Sequence, residues 1–215
     1  MTPLRITCSV PGEMILPDGY LHLDALLAWA VCQRDGIPPA LTPEEIVPIE
    51  IPVERAGPIH LASASVMDID ARATIHLVRR FPTQEAARMS TMTRVNLAAG
   101  AQKNYRIPIE AVYPRGGLVE FFAVGERVEV AELLALVTHL GKKRSVGHGR
   151  ILGGWKVEEC DTWSGFPVLG RDGSAIRHLP IGWPGLGAHH RRIGRLSYPY
   201  WSFADEQEIA APLVA

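Results

Sequence analysis

Between Leu140 and Trp155 the chain reads Leu-Gly-Lys-Lys-Arg-Ser-Val-Gly-His-Gly-Arg-Ile-Leu-Gly-Gly-Trp, with five glycines and five cationic or protonatable side chains. Lys142, Lys143, Arg144 and Arg150 have no acid among them, and such a set attracts phosphates irrespective of sequence. Gly141, Gly147, Gly149, Gly153 and Gly154 let a backbone run close against a sugar-phosphate chain and turn its N–H groups outward as anion donors. Ser145 and His148 add hydrogen-bonding capacity. The chemistry this run suits is the gripping of a polyanion.

Other readings compete for the same residues. A dinucleotide or P-loop site sets its glycines after a strand and before a helix, whereas helical spacing precedes this run and a strand-like pattern follows it. No GxxxxGK[ST] is present either, so a nucleotide-binding metabolic protein ranks last. Lys142 and Lys143 equally suit the negative end of the preceding helix.

The eight histidines raise the question of catalysis. Metal-independent cleavage of RNA needs one group to take the 2′-hydroxyl proton and another to give a proton to the leaving oxygen. His148 is the best candidate, but the run offers no second acid or base beside it. His139 falls in the expected last turn of a helix, and His22 and His76 fall in regular elements. His189 and His190 precede Arg191, Arg192 and Arg195, which is a basic patch before it is a metal site. No Ser-His-Asp or Cys-His context is recognisable, and no carboxylate or cysteine has metal-ligand spacing to these histidines. We therefore expect no catalytic residue, no metal and no cofactor.

The elements that must position the run follow from periodicity. Leu4, Ile6, Cys8 and Val10 alternate as a first strand. Leu23, Leu26, Leu27, Ala30 and Val31 recur at helical spacing, with Asp24 in the first turn and Gly36 as the stop. Residues 37–58 hold six prolines and suit an extended connection. Leu61 to Phe81 is strand-like. Residues 83–104 break the periodicity, and strands resume at Tyr105–Tyr113 and Leu118–Val124 around Pro114-Arg115-Gly116-Gly117, a hairpin signal. Val130, Leu133, Leu134, Val137 and Leu140 predict a helix ended by Gly141. Trp155–Glu159 predicts a strand, and Phe166–Leu169 and Ile176–Leu179 are short strand-like pieces. The order is close to βαββαβ, a ferredoxin-like α+β arrangement.

Charge is asymmetric along the chain. Residues 1–70 hold three cations against ten acids, residues 71–195 nineteen against ten, and the tail from Leu196 three acids. Eighteen of the 22 cations are arginine, whose planar fork suits phosphates and stacking on bases. This fits one polyanion-facing side as readily as chance clustering on a solvated surface. Cys8, Cys32 and Cys160 are too few and too scattered for a disulfide framework or zinc knuckle. No apolar run reaches the roughly 18–20 residues of a membrane helix. Met1 to Val10 lacks the pattern of a signal peptide, so a cytoplasmic protein is expected.

The helix followed by Gly-Lys-Lys-Arg-Ser-x-Gly-x-Gly-Arg and a strand resembles the glycine-rich loop of the repeat-associated RNA-binding superfamily of CRISPR systems. Pro3-Leu4-Arg5-Ile6-Thr7 and Leu21–Ala28 resemble its first strand and helix. With Gly-x-x-Lys-Asn-Tyr-Arg (Gly100 to Arg106) and Tyr198-Pro199-Tyr200-Trp201, the chain is similar to the third Csf subunit of type IV CRISPR effectors. The resemblance implies a ferredoxin-like domain over residues 1–160 and a β-rich C-terminal extension over residues 161–215. It implies a non-catalytic subunit that holds the repeat-derived 5′ handle of a guide RNA and contacts backbone and large subunits, meeting target DNA through the complex. It gives Lys142, Lys143, Arg144, Ser145, Gly147, His148, Gly149 and Arg150 the handle-gripping role. Residues 83–104 become an inserted thumb, with Arg88, Arg94, Lys103 and Arg106 facing RNA or a neighbouring subunit. Met89 and Met92 there suit wedging against bases or packing in a small helix. Relatives that cut precursor guide RNA keep a ribonuclease as the alternative.

Overall fold

The computed structural model describes residues 1–38, 40, 42–82, 84, 96–98, 103–203 and 205–213. In chain order its strands and longer helices are β1 (Thr2–Ser9), α1 (Leu23–Asp35), β2 (Arg55–Ala56), β3 (Ile59–His60), β4 (Ile69–Arg79), β5 (Tyr105–Pro114), β6 (Leu118–Gly125), α2 (Arg127–Ala135), β7 (Leu152–Glu159), β8 (Leu179–Pro180), β9 (His190–Gly194) and β10 (Gln207–Ala211). The protein is mixed α/β, with two such helices and four antiparallel sheets among the described residues.

β1 is the middle strand of the first sheet, in the order β6-β1-β7. Its alternation puts Leu4, Ile6 and Cys8 on the buried face, with Ile6 opposite Phe121 on one side and Val157 on the other. Leu23, Leu27, Ala30 and Val31 of α1 and Val130, Leu133 and Leu134 of α2 close over that face in one apolar cluster. The α1 positions follow the i, i+4, i+7, i+8 stripe of a one-sided helix, and those of α2 its i, i+3, i+4 start. Gly36 ends α1 in the left-handed conformation, φ 67°, which glycine adopts without a Cβ penalty. A second cluster joins Ile59 to Val168, Leu169, Leu179, Leu196, Ile209 and Ala210, beneath the sheet β8-β10-β9.

Several expectations are corrected. Pro114–Gly117 does not close a hairpin: β5 pairs with β4, and β6 pairs with β1. The chain passes from one sheet to another through a single turn of 3₁₀ helix at Arg115–Gly117, because β6 is needed at the edge of β1. The strand expected over 61–81 divides. Ala62 and Val66 make isolated bridges to the outer edge of β6, and only Ile69–Arg79 is a continuous strand. β4 and β5 form a long two-stranded ribbon, paired from Ile69–Pro114 at its base to Arg79–Tyr105 at its far end. The helix expected to reach Gly141 stops at Ala135, although Val137 and Leu140 stay buried. Phe166–Val168 form a turn, not a strand. No described helix is long and apolar enough to cross a membrane.

Candidate nucleic-acid interface

After α2 the chain runs into a loop whose mouth is pinched shut. Leu140 N–H donates to Gly149 O (2.8 Å), Ile151 N–H to Thr138 O (2.9 Å), and His139 bridges Arg150. Lys142 N–H donates to Ile15 O (3.0 Å) and Gly149 N–H to Glu13 O (2.9 Å), which staples the loop to the segment after β1. Two of its glycines answer to the protein's own backbone. A Cβ on Gly149 would lie 1.8 Å from Leu140 O, and one on Gly141 2.6 Å from Ile15 O. Gly147, Gly153 and Gly154 have nothing within 4 Å of such a Cβ. Gly153 and Gly154 form a bulge where the register of β7 on β1 jumps from Trp155 to Leu152.

The loop's tip is a 3₁₀ turn, Arg144–Val146, entered through Lys143 at φ 63°. Lys142, Lys143, Arg144, Ser145, Gly147 and Arg150 are exposed. Among the described residues no acid pairs with any of these four cations. The Arg144 guanidinium lies over the Trp29 ring, 4.9 Å from its centroid. Because α2 ends seven residues before Lys142, the helix-end role for Lys142 and Lys143 falls away.

His148 departs from expectation. Its side chain is only 13% exposed, and Nδ1–H donates to the Glu13 carboxylate at 2.8 Å. A second titratable group therefore does stand beside it. Glu13 is 135 residues away in sequence and carried no motif, so nothing in the sequence signalled the pair. His139 lies in the loop mouth, beyond the helix end assigned to it.

Arg88 and Arg94 lie outside the described residues, as do Met89 and Met92. Lys103 and Arg106 are exposed at the far end of the β4–β5 ribbon, where Arg106 pairs across from Val78. Val78 and Ile107 are also exposed there. The ribbon base bridges Met14 to Val112, so ribbon and loop share the anchor Glu13–Ile15. All three arginines of the 189–195 patch are engaged with acids: Arg191 with Glu208 (3.4 Å), Arg192 with Asp18 (3.0 Å) and Arg195 with Asp205 (3.9 Å).

A buried polar cluster was also missed. Arg177 is 0% and Asp24 1% exposed. Arg177 Nη2 lies 3.4 Å from Asp24 Oδ2 and donates to Leu196 O (2.7 Å), while Nη1 donates to Ala62 O (2.8 Å) and to His60 O. Tyr200 O–H donates to the Asp24 carboxylate (2.9 Å). Burial alone would raise the Asp24 pKa, but the Arg177 guanidinium and His60 hold it well below the usual carboxylate range. Burial, with the Asp24 charge, pushes the Tyr200 phenol well up. His178 donates from Nδ1 to Arg195 O (2.7 Å) and accepts at Nε2 from Tyr20 O–H (2.8 Å). Burial lowers its pKa to about 4, and burial and His178 lower that of His22 well below normal. Asp24 was assigned to the helix dipole; its larger role is to seat Arg177 and Tyr200 against α1.

Between α1, the 37–49 connection, the glycine loop and Tyr198–Trp201 lies a cavity of about 740 Å³. Its walls are mostly apolar, with Lys142 and Arg144 on the loop side. No group of histidine, cysteine and carboxylate side chains among the described residues could hold a metal.

The family model described as CRISPR type IV associated protein Csf3 matches residues 67–212, from just before β4 through β10. The chain belongs to that family. No curated protein matches it.

Proposed function

For a chain of the Csf3 family, we propose a non-catalytic, guide-RNA-binding subunit of a cytoplasmic type IV CRISPR effector ribonucleoprotein. It grips the repeat-derived 5′ handle, contacts the backbone and large subunits, and meets target DNA through the complex. The observation that carries this reading is the loop Lys142–Arg150: four exposed cations without acidic partners among the described residues, on a backbone stapled at both ends. Held in this way, the loop meets phosphates with little ordering still to do, which favours affinity. A ferredoxin-like core is supported by the order β6-β1-β7, with α2 connecting β6 to β7 and Ala62–Val66 along the outer edge of β6. The thumb would be the insert of residues 83–104, which the ribbon β4–β5 flanks in sequence, with Lys103 and Arg106 at the ribbon's far end.

The test is direct binding of the purified protein to synthetic RNAs of equal length, with and without the 5′ handle of its own array. The handle RNA should bind at least about tenfold more tightly, and both affinities should fall with salt as counterions are released. Equal affinities would reduce the loop to a generic basic surface.

One observation favours a second reading. The Glu13–His148 pair puts two proton-transfer groups together, as a metal-independent ribonuclease requires. His148 is mostly enclosed and its Nδ1 is committed to Glu13, which suits a structural clasp. The protein should leave precursor RNA intact in EDTA. Specific cleavage at the repeat, lost in His148→Ala, would establish the ribonuclease instead.

A further inference from the structure

We propose that the cavity between α1 and the glycine loop is a nucleobase site, which takes one unstacked base of the bound RNA and holds its phosphate at the loop. The inference rests on the RNA-binding reading and adds a site to it.

The cavity, about 740 Å³, falls within the roughly 300–1,000 Å³ of small-ligand sites. Three independent features of its lining point to the same ligand. The first is aromatic. Trp201 is 47% exposed and Trp29 only partly buried, and both line the cavity. Sequence-specific RNA recognition splays bases out of the strand and stacks them on such rings or on arginine planes. Arg144 over Trp29 supplies the second kind of platform beside the first.

The second feature is charge. Lys142 and Arg144 line the cavity from the loop side, where a phosphate joined to the inserted base would pass. The one acid in the lining, Glu45, accepts from Thr42 N–H, so its carboxylate is turned to its own helical turn.

The third feature is an unmet hydrogen-bonding demand. His22 lines the cavity and is 7% exposed, yet neither ring nitrogen has a partner among the described residues. Burial holds its pKa well below the ordinary value, and a neutral imidazole presents one donor and one acceptor. Leaving both unsatisfied is costly. An apolar side chain from a partner protein would fill the cavity but make no use of Lys142 and Arg144 at its rim. A base brings a flat apolar face together with a polar edge, and the exposed Gln33 amide on α1 offers a further donor and acceptor at the same wall.

The experiment is an abasic scan. Guide RNAs from the protein's own array are synthesised with a single abasic nucleotide at each handle position in turn. Each is titrated against wild type and Trp201→Ala, with melting curves as a folding control. One position should lose about 5- to 150-fold in affinity for wild type, the range for stacking one base on an aromatic ring. Trp201→Ala should lose a comparable factor with intact RNA and almost nothing more with that abasic RNA, because both remove the same contact. RNA that binds well, with no position standing out and Trp201→Ala neutral, overturns the site while leaving the RNA-binding reading intact; a partner polypeptide in the groove would give this result. Failure of any RNA to bind overturns both.

Discussion

Arg177 and Arg144 are the same side chain used in opposite ways. Arg177 is buried and spends its donors inside the chain, on Asp24, on backbone carbonyls of His60, Ala62 and Leu196, and on Tyr200. Arg144 stands on an exposed turn, laid across Trp29, with Lys142 and Lys143 beside it and no acid paired to any of them among the described residues. In the first region charge is neutralised within the fold and holds Arg177–Tyr200 to α1. In the second it is left uncompensated on a rigid loop. A cation matched internally is a structural joint; one left unmatched is available to a partner. If the joint carries stability and the loop the proposed RNA binding, the two should be separable by mutation.

The largest effect is expected at the joint. Asp24→Asn strands the Arg177 charge in the interior, and breaking a buried pair from one side costs about 3–5 kcal/mol. Urea unfolding followed by tryptophan fluorescence should register that loss, with RNA affinity per folded molecule retained. A loss below about 1 kcal/mol would mean that the joint is not what holds the C-terminal segment in place.

A smaller effect should appear on acidification. His22 and His178 are held neutral by burial, so the unfolded chain takes up protons first, near its ordinary value of about 6.5. Stability then falls as pH drops from about 6.5 toward the folded value of about 4 for His178, by on the order of 3 kcal/mol for that residue. Asp24 acts lower: its depressed pKa contributes stability above the unfolded value near 4, lost only as pH falls through the folded one. Melting temperatures at pH 7.5, 6.0 and 4.5 check the order. A flat profile across that range would contradict the neutral, enclosed imidazoles.

What the sequence made legible follows the range of the interactions involved. β1, α1, Gly36 and the cationic glycine run depend on local periodicity and composition, and they stand where those patterns put them. The partners that matter most are remote: Arg177 reaches Asp24 across 153 residues and His148 reaches Glu13 across 135. No local pattern encodes such pairs. The turn at Pro114–Gly117 failed for a related reason. Its residues specify a reversal of direction, but β1 recruits β6 into another sheet and leaves β5 to β4. The glycines carry a similar lesson. The sequence reading turned the run's glycines toward an approaching ligand, with Gly141 also as a helix stop, whereas Gly141 and Gly149 are required by carbonyls of the chain itself.

The most direct test of the separation is the salt dependence of handle-RNA binding for Lys143→Ala/Arg144→Ala beside wild type, with denaturation curves on the same samples. Each phosphate contact on single-stranded RNA contributes about 0.7 to the slope of log affinity against log salt. The double variant should therefore bind more weakly, with a slope shallower by about 1.4, while its unfolding free energy stays within about 1 kcal/mol of wild type. An unchanged slope and affinity, or a loss of RNA binding that merely tracks a loss of folded protein, would contradict a loop built to hold RNA.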